Sequence, residues 1–150
     1  MPMIKRFIFA AAFVFAVATP GTSHARASIG GLLASPEIVG GYLSLWPNND
    51  VSLDFRATLT TLDAGVTGHI PISSAVDHRH DIVVSGLGGW VHAGSHYYYD
   101  GMGARVAGMV GYGYQSSLDF RVMGGVTSYK TGDYGWVTAP TFVASLGVFL

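Results

Sequence analysis

Apolar and polar residues alternate along most of the chain with a period of two, and the clearest run is Val51–Thr60. Val51, Leu53, Phe55, Ala57 and Leu59 fall on one side; Ser52, Asp54, Arg56, Thr58 and Thr60 fall on the other. Successive side chains of a strand take opposite faces, so this run predicts a strand with one apolar and one polar wall. The tetrad Leu53-Asp54-Phe55-Arg56 returns as Leu118-Asp119-Phe120-Arg121, again opening an alternating stretch. Extended segments are predicted at Ser28–Ala34, Glu37–Trp46, Val51–Thr60, Leu62–Ile72, Asp81–Ala93, Met102–Tyr114, Leu118–Tyr129 and Thr141–Leu150. Turn-forming residues separate them at Pro47–Asp50, Ser73–His80 and Gln115–Ser117, with longer loops at Gly94–Gly101 and Lys130–Pro140. Pro71 is expected at a strand end, because proline cannot donate to a ladder.

Alternation alone does not say which wall meets solvent. A soluble sandwich buries the apolar wall; a membrane barrel turns it to lipid and encloses the polar one. Composition separates the two. Only 11% of the residues are charged, whereas the surface of a small soluble domain is about a quarter charged or more. Segments of about ten residues suit tilted membrane strands, and only a closed barrel satisfies their backbone inside a bilayer. The expected fold is therefore all-β, a closed antiparallel transmembrane barrel of about eight strands.

The first residues read as an export leader. Lys5 and Arg6 precede the apolar run Phe7–Ala18, followed by two small-x-small triads, Ser23-His24-Ala25 and Ala25-Arg26-Ala27. The expectation is a leader at 1–27, cut after Ala27, and a barrel at 28–150. That mature chain keeps five basic residues, Arg56, Arg79, Arg105, Arg121 and Lys130, against nine acids. The basic footprint of a nucleic-acid binder is missing. There is no cysteine, hence no disulfide framework.

With the leader, the alternating segments and a strand at the C-terminus, residues 28–150 resemble the small eight-stranded outer-membrane barrels of Gram-negative bacteria. In that class the last strand usually ends in an aromatic residue; here Leu150 is last and Phe149 precedes it. The resemblance implies an outer-membrane location, with lipid and the outer-membrane assembly machinery as partners. It implies no nucleic acid and no cofactor, and leaves the oligomeric state open. Gly111-Tyr112-Gly113-Tyr114, Gly124-Gly125-Val126-Thr127 and Pro140 before an apolar strand also resemble part of the lipid A palmitoyltransferase family. The motif that carries acyl transfer in that family has no residue-by-residue counterpart here. The His-x-Ser motif of the lipid A deacylases is missing near the C-terminus.

Three groups of residues are candidates for chemistry. On the barrel reading Asp54, Arg56, Asp63, Arg105, Asp119 and Arg121 all point inward, and enclosed charges must pair. The two tetrads should meet across the lumen, with Asp63 and Arg105 as a second layer. His78 and His80, within Asp77-His78-Arg79-His80-Asp81, share a face in extended structure and are the candidates for metal ligation. His92, Ser95, His96 and Asp100 flank Tyr97–Tyr99 and form the candidate catalytic set for a nucleophile with its base and acid. The favoured function is a structural or surface-interaction barrel without enzyme chemistry; the alternatives are a lipid A-modifying enzyme and a small pore. Tyr42, Trp46, Trp90, Tyr112, Tyr129, Tyr134 and Trp136 are expected in two aromatic belts at the membrane surfaces.

Overall fold

The computed structural model describes residues 25–35, 38–91, 103–131 and 135–150. These form β1 (Arg26–Ser35), β2 (Ile38–Asn48), β3 (Val51–Thr58), β4 (Thr61–Ser74), β5 (Arg79–Val91), β6 (Gly103–Gln115), β7 (Leu118–Thr131) and β8 (Gly135–Phe149). Each strand pairs antiparallel with the next. β8 returns to β1 in a register running from Ser28↔Phe149 to Ser35↔Phe142, which closes an eight-stranded barrel. The Leu150 N–H donates to the Ala27 carbonyl at 2.8 Å and continues the closing seam to the chain end. No helix long and apolar enough to cross a membrane occurs among the described residues.

The strand period sorts the side chains into two walls. On β3, Asp54 is fully enclosed while its neighbour Phe55 is 47% exposed. The same holds around the ring: Val66, Val84, Val110, Val126 and Leu146 stand outward, and Thr67, Ser85, Arg121, Thr127 and Ser145 are buried within. One rim, here the terminal rim, carries Ala25, Leu150 and the turns at 49–50, 75–78 and 116–117. The opposite rim carries the turn at 59–60 and the strand ends that flank 36–37, 92–102 and 132–134.

Several boundaries differ from the expectations. Of the segment 130–140, the described residues 130–131 and 135–140 are strand rather than loop. β7 runs on to Thr131 and β8 starts at Gly135, with Trp136 opposite Lys130 and Pro140 opposite Val126. Pairing of β8 with β1 ends at Phe142, so Pro140 has β7 on one side and no described partner on the other. A missing N–H is tolerated where a strand is an edge. Pro71 lies inside β4 rather than at its end. It sits at the register irregularity between Pro71 and Ser73, beyond Gly68, where pairing with β3 stops. The hairpin between β4 and β5 is correspondingly shorter than expected, and β3 ends at Thr58.

An eight-stranded barrel has room inside only for side chains, so neighbouring strands must approach closely. Gly125 marks one such approach. A Cβ there would fall on the backbone carbonyl of Gly108 on β6. Gly108 itself faces outward, and a Cβ added to it would meet nothing within 4 Å.

Candidate functional site

The enclosed charges of the barrel form its most organised chemistry. Arg121 on β7 is the hub. Its Nε and Nη2 donate to Asp119 Oδ1 and Oδ2 at 2.9 and 2.7 Å, a bidentate pair two residues back along the same strand. Its Nη1 crosses the interior to Asp54 on β3, at 3.0 and 2.9 Å from the two carboxylate oxygens. β3 and β7 are opposite walls of the ring, so this one guanidinium braces the full width. The planar fork of arginine suits such a role, because its donors leave in fixed directions. Its cationic face also lies 5.6 Å from the Tyr42 ring centre and 5.0 Å from that of Trp46.

Hydroxyls fill the remaining acceptor positions. Ser44 and Thr67 donate to Asp54 at 2.6 and 2.5 Å, and Ser28 donates to Asp119 at 2.6 Å. Trp46 Nε1 donates to the Ser28 hydroxyl, and the Tyr42 hydroxyl to the Asp119 carbonyl, both at 3.2 Å. A buried polar network stabilises only where its members are satisfied, and around Arg121 the carboxylates of Asp54 and Asp119 each hold several donors. Arg56 holds a weaker position. Its Nη2 reaches Asp54 at 3.4 Å, and its buried Nη1 has no hydrogen-bond partner.

Tyr42, Trp46 and Tyr129 therefore belong to the interior, not to surface belts; all three are buried. Strand parity explains the correction. Tyr42 and Trp46 share a face with Ser44, and Tyr42 lies directly across from Arg56 on β3. Trp90, Tyr112 and Trp136 do stand on the outer wall. Tyr134 lies outside the described residues.

A second pair forms toward the opposite rim. Arg105 on β6 donates from Nη1 to Asp63 Oδ2 on β4 at 2.7 Å, and from Nε to the Thr127 hydroxyl at 3.0 Å. β5 lies between those strands, and Gly89 is the residue paired with both Asp63 and Arg105. A Cβ on Gly89 would meet the Asp63 carboxylate and the Leu62 carbonyl, so glycine leaves the gap this ion pair crosses. Gly89→Ala should separate the pair and lower the unfolding free energy by about 1–3 kcal/mol, read from urea titrations. Between these polar layers an apolar cluster packs Val83, Leu87, Ala107, Met109, Met123 and Val143 together on β5 to β8.

The terminal rim carries a third cluster, built on Arg79 and Asp81 of the segment that the sequence offers for metal ligation. Asp81 is enclosed and accepts from Arg79 Nε and Gln115 Nε2, both at 2.5 Å. Arg79 Nη2 also donates to Asp50 at 2.8 Å and to the His69 carbonyl at 3.0 Å, stapling two turns and two strands together. Arg79→Ala should lower the unfolding free energy by about 2 kcal/mol, visible as a lower urea midpoint, since it leaves the buried Asp81 with Gln115 as its hydrogen-bond donor and His69 3.7 Å away. The available signal was parity: Asp81 shares a face with the interior residues Val83 and Ser85 on β5.

A recess of about 400 Å³ opens at this rim between Arg26, Asn49, Asp77, His78, Arg79 and Gln115. His78 Nδ1 lies 2.8 Å from Asp77 Oδ1, and this hydrogen bond holds the exposed Asp77 carboxylate below its ordinary range. The His78 and His80 rings meet edge to face at 5.5 Å, and His80 Nδ1 hydrogen-bonds the Tyr112 hydroxyl. Among the described residues no three His, Cys, Asp or Glu side chains are arranged to hold a metal ion. His92, Ser95, His96 and Asp100 lie outside the described residues. No family model, curated protein or solved structure matches the chain.

Proposed function

We propose that the protein is an integral outer-membrane β-barrel that serves envelope structure or surface interaction. The observation that carries this reading is the inverted polarity of the closed wall. Its interior holds Asp54, Asp119 and Arg121 at 1% exposure or less, while outward residues such as Val110 and Leu146 are more than half exposed. Soluble proteins rarely present contiguous apolar surface beyond a few hundred Å². Hydrocarbon is the solvent that suits an apolar outer wall and an enclosed polar interior. The leader at the start of the chain supports export, and the assembly machinery and outer-membrane lipid are then its partners.

The packed interior favours a structural barrel over a conduit. The cavity bounded by Arg56, Asp63, Arg105, Leu87 and Val143 measures about 10 Å³, roughly the room of a single water. The Arg121–Asp54 pair ties opposite walls together, which suits a rigid platform for the connections at the rims.

Fractionation tests the reading: the protein should be recovered with the outer membrane and shift its gel migration on heating in detergent. Recovery in the soluble periplasm overturns it. Fluorescence gives an independent check on orientation. In vesicles of lipids with brominated chains, single-tryptophan variants retaining Trp90 or Trp136 should be quenched strongly. A variant retaining only Trp46, which is 1% exposed, should be quenched little. Equal quenching of all three would reverse the assignment of inside and outside.

A further inference from the structure

Two small-x-small triads offer two places to remove the leader, and they overlap at Ala25. A cut after Ala27 would discard Arg26 and Ala27. In the barrel both are structural. Arg26 is the first residue of β1 and pairs with Trp46, and Ala27 pairs with Leu45. The Arg26 side chain closes the terminal rim. Its Nη2 donates to Gln115 Oε1 at 2.5 Å, and its guanidinium lies 4.0 Å from the Phe149 ring centre and 5.1 Å from that of Trp46. Trp46 beneath it is almost wholly enclosed. The Ala27 carbonyl accepts the Leu150 N–H, the last bond of the seam that closes the ring. Removing the two residues would open both the rim and the seam.

Ala25, in contrast, is exposed, belongs to no strand, and directly precedes β1. We propose that the leader is removed by hydrolysis of the Ala25–Arg26 peptide bond. A leader peptidase adds water across that bond, leaving a carboxylate on Ala25 and a free amine on Arg26. The triad it reads is Ser23-His24-Ala25, and the mature protein begins with its rim-closing arginine. The inference rests on the export reading above and goes further, since it selects the bond.

Intact mass and N-terminal sequencing of the protein recovered from outer membranes decide the matter, with the full-length precursor expressed behind its own leader. Arg26 is the expected first residue. A mature chain starting at Ser28 overturns the proposal but leaves the outer-membrane reading intact. A chain still starting at Met1 overturns both the cut and the export reading. Two substitutions separate the triads, because a bulky residue blocks a cleavage position that demands a small one. Ser23→Phe should leave the Arg26 terminus at less than a tenth of its normal yield. Ala27→Phe should leave both the Arg26 terminus and its yield unchanged. The opposite pattern overturns the proposal. A chain starting at Ser28, refolded beside one starting at Arg26, should unfold at a lower urea concentration; equal midpoints would remove the structural ground for the choice.

Discussion

Replacing Arg121 with methionine should lower the unfolding free energy by about 3–5 kcal/mol, the usual consequence of removing one partner from a buried ion pair. The change strands two carboxylates at once. Asp119 would keep only Ser28 among its side-chain donors. Asp54 would keep Ser44, Ser52, Thr67 and the distant Arg56. Arg56→Met should behave differently although the sequence around it is the same tetrad. Its contact with Asp54 is 3.4 Å, at the limit of a hydrogen bond, and Asp54 retains Arg121. The expected loss is about 1 kcal/mol or less. The double variant Asp119→Asn with Arg121→Met leaves Asp54 facing Arg56, a neutral pair, and should cost less than the sum of the two single changes. Urea unfolding of each variant from lipid vesicles gives these differences. Near-zero effects throughout would mean that the charges face water, as they do in an exposed pair worth about 0–1 kcal/mol.

Closure of the ring should fail in Gly125→Val. Valine places its branched carbon where the Gly108 carbonyl stands, and that atom belongs to the backbone ladder joining β6 and β7. Neither strand can move aside without breaking pairs to its other neighbour. The smaller Gly125→Ala should cost about 1–3 kcal/mol, the range for overfilling a packed interior. Gly108→Ala is the matched control on the adjoining strand and should change stability by no more than about 0.5 kcal/mol, because its Cβ enters open space. The yield of the compact, heat-modifiable form after refolding reads the first variant, and urea midpoints read the other two. If Gly108→Ala were as harmful as Gly125→Ala, the inner and outer walls of β6 and β7 would be assigned the wrong way round.

The two prolines and the tyrosines show where reading along the chain fell short. Along the chain Pro71 is expected at a strand end and Pro140 at the end of a loop. Both sit where a strand extends past one of its neighbours, and only the stagger of the ring creates such half-paired positions. Tyr42, Trp46 and Tyr129 were assigned by residue type, as interfacial aromatics. Their parity with Ser44, Arg56 and Thr127 places them inside, so the local pattern already held the answer and composition misled. Arg26 was assigned to the leader because a cleavage triad spans it. Its place against Gln115 and Phe149 depends on β6 and β8, far along the chain.

By itself the sequence determined the class of wall. A period of two makes every residue on a strand commit to one of two faces, and eight such runs joined by turns define a ring of two-faced strands. It therefore also determined that Asp54, Arg56, Asp119 and Arg121 share the polar wall of their strands. Which of them would meet was decided only by the tertiary structure. The tetrads are identical, yet Arg121 finds Asp54, Ser44 and two aromatic faces across the lumen, while Arg56 reaches Asp54 only at 3.4 Å and lines a small cavity with Leu87, Val143 and Asp63. Partners across a barrel depend on the relative heights of strands on opposite walls. Those heights follow from the register of every ladder between them, a quantity that no single stretch of the chain contains.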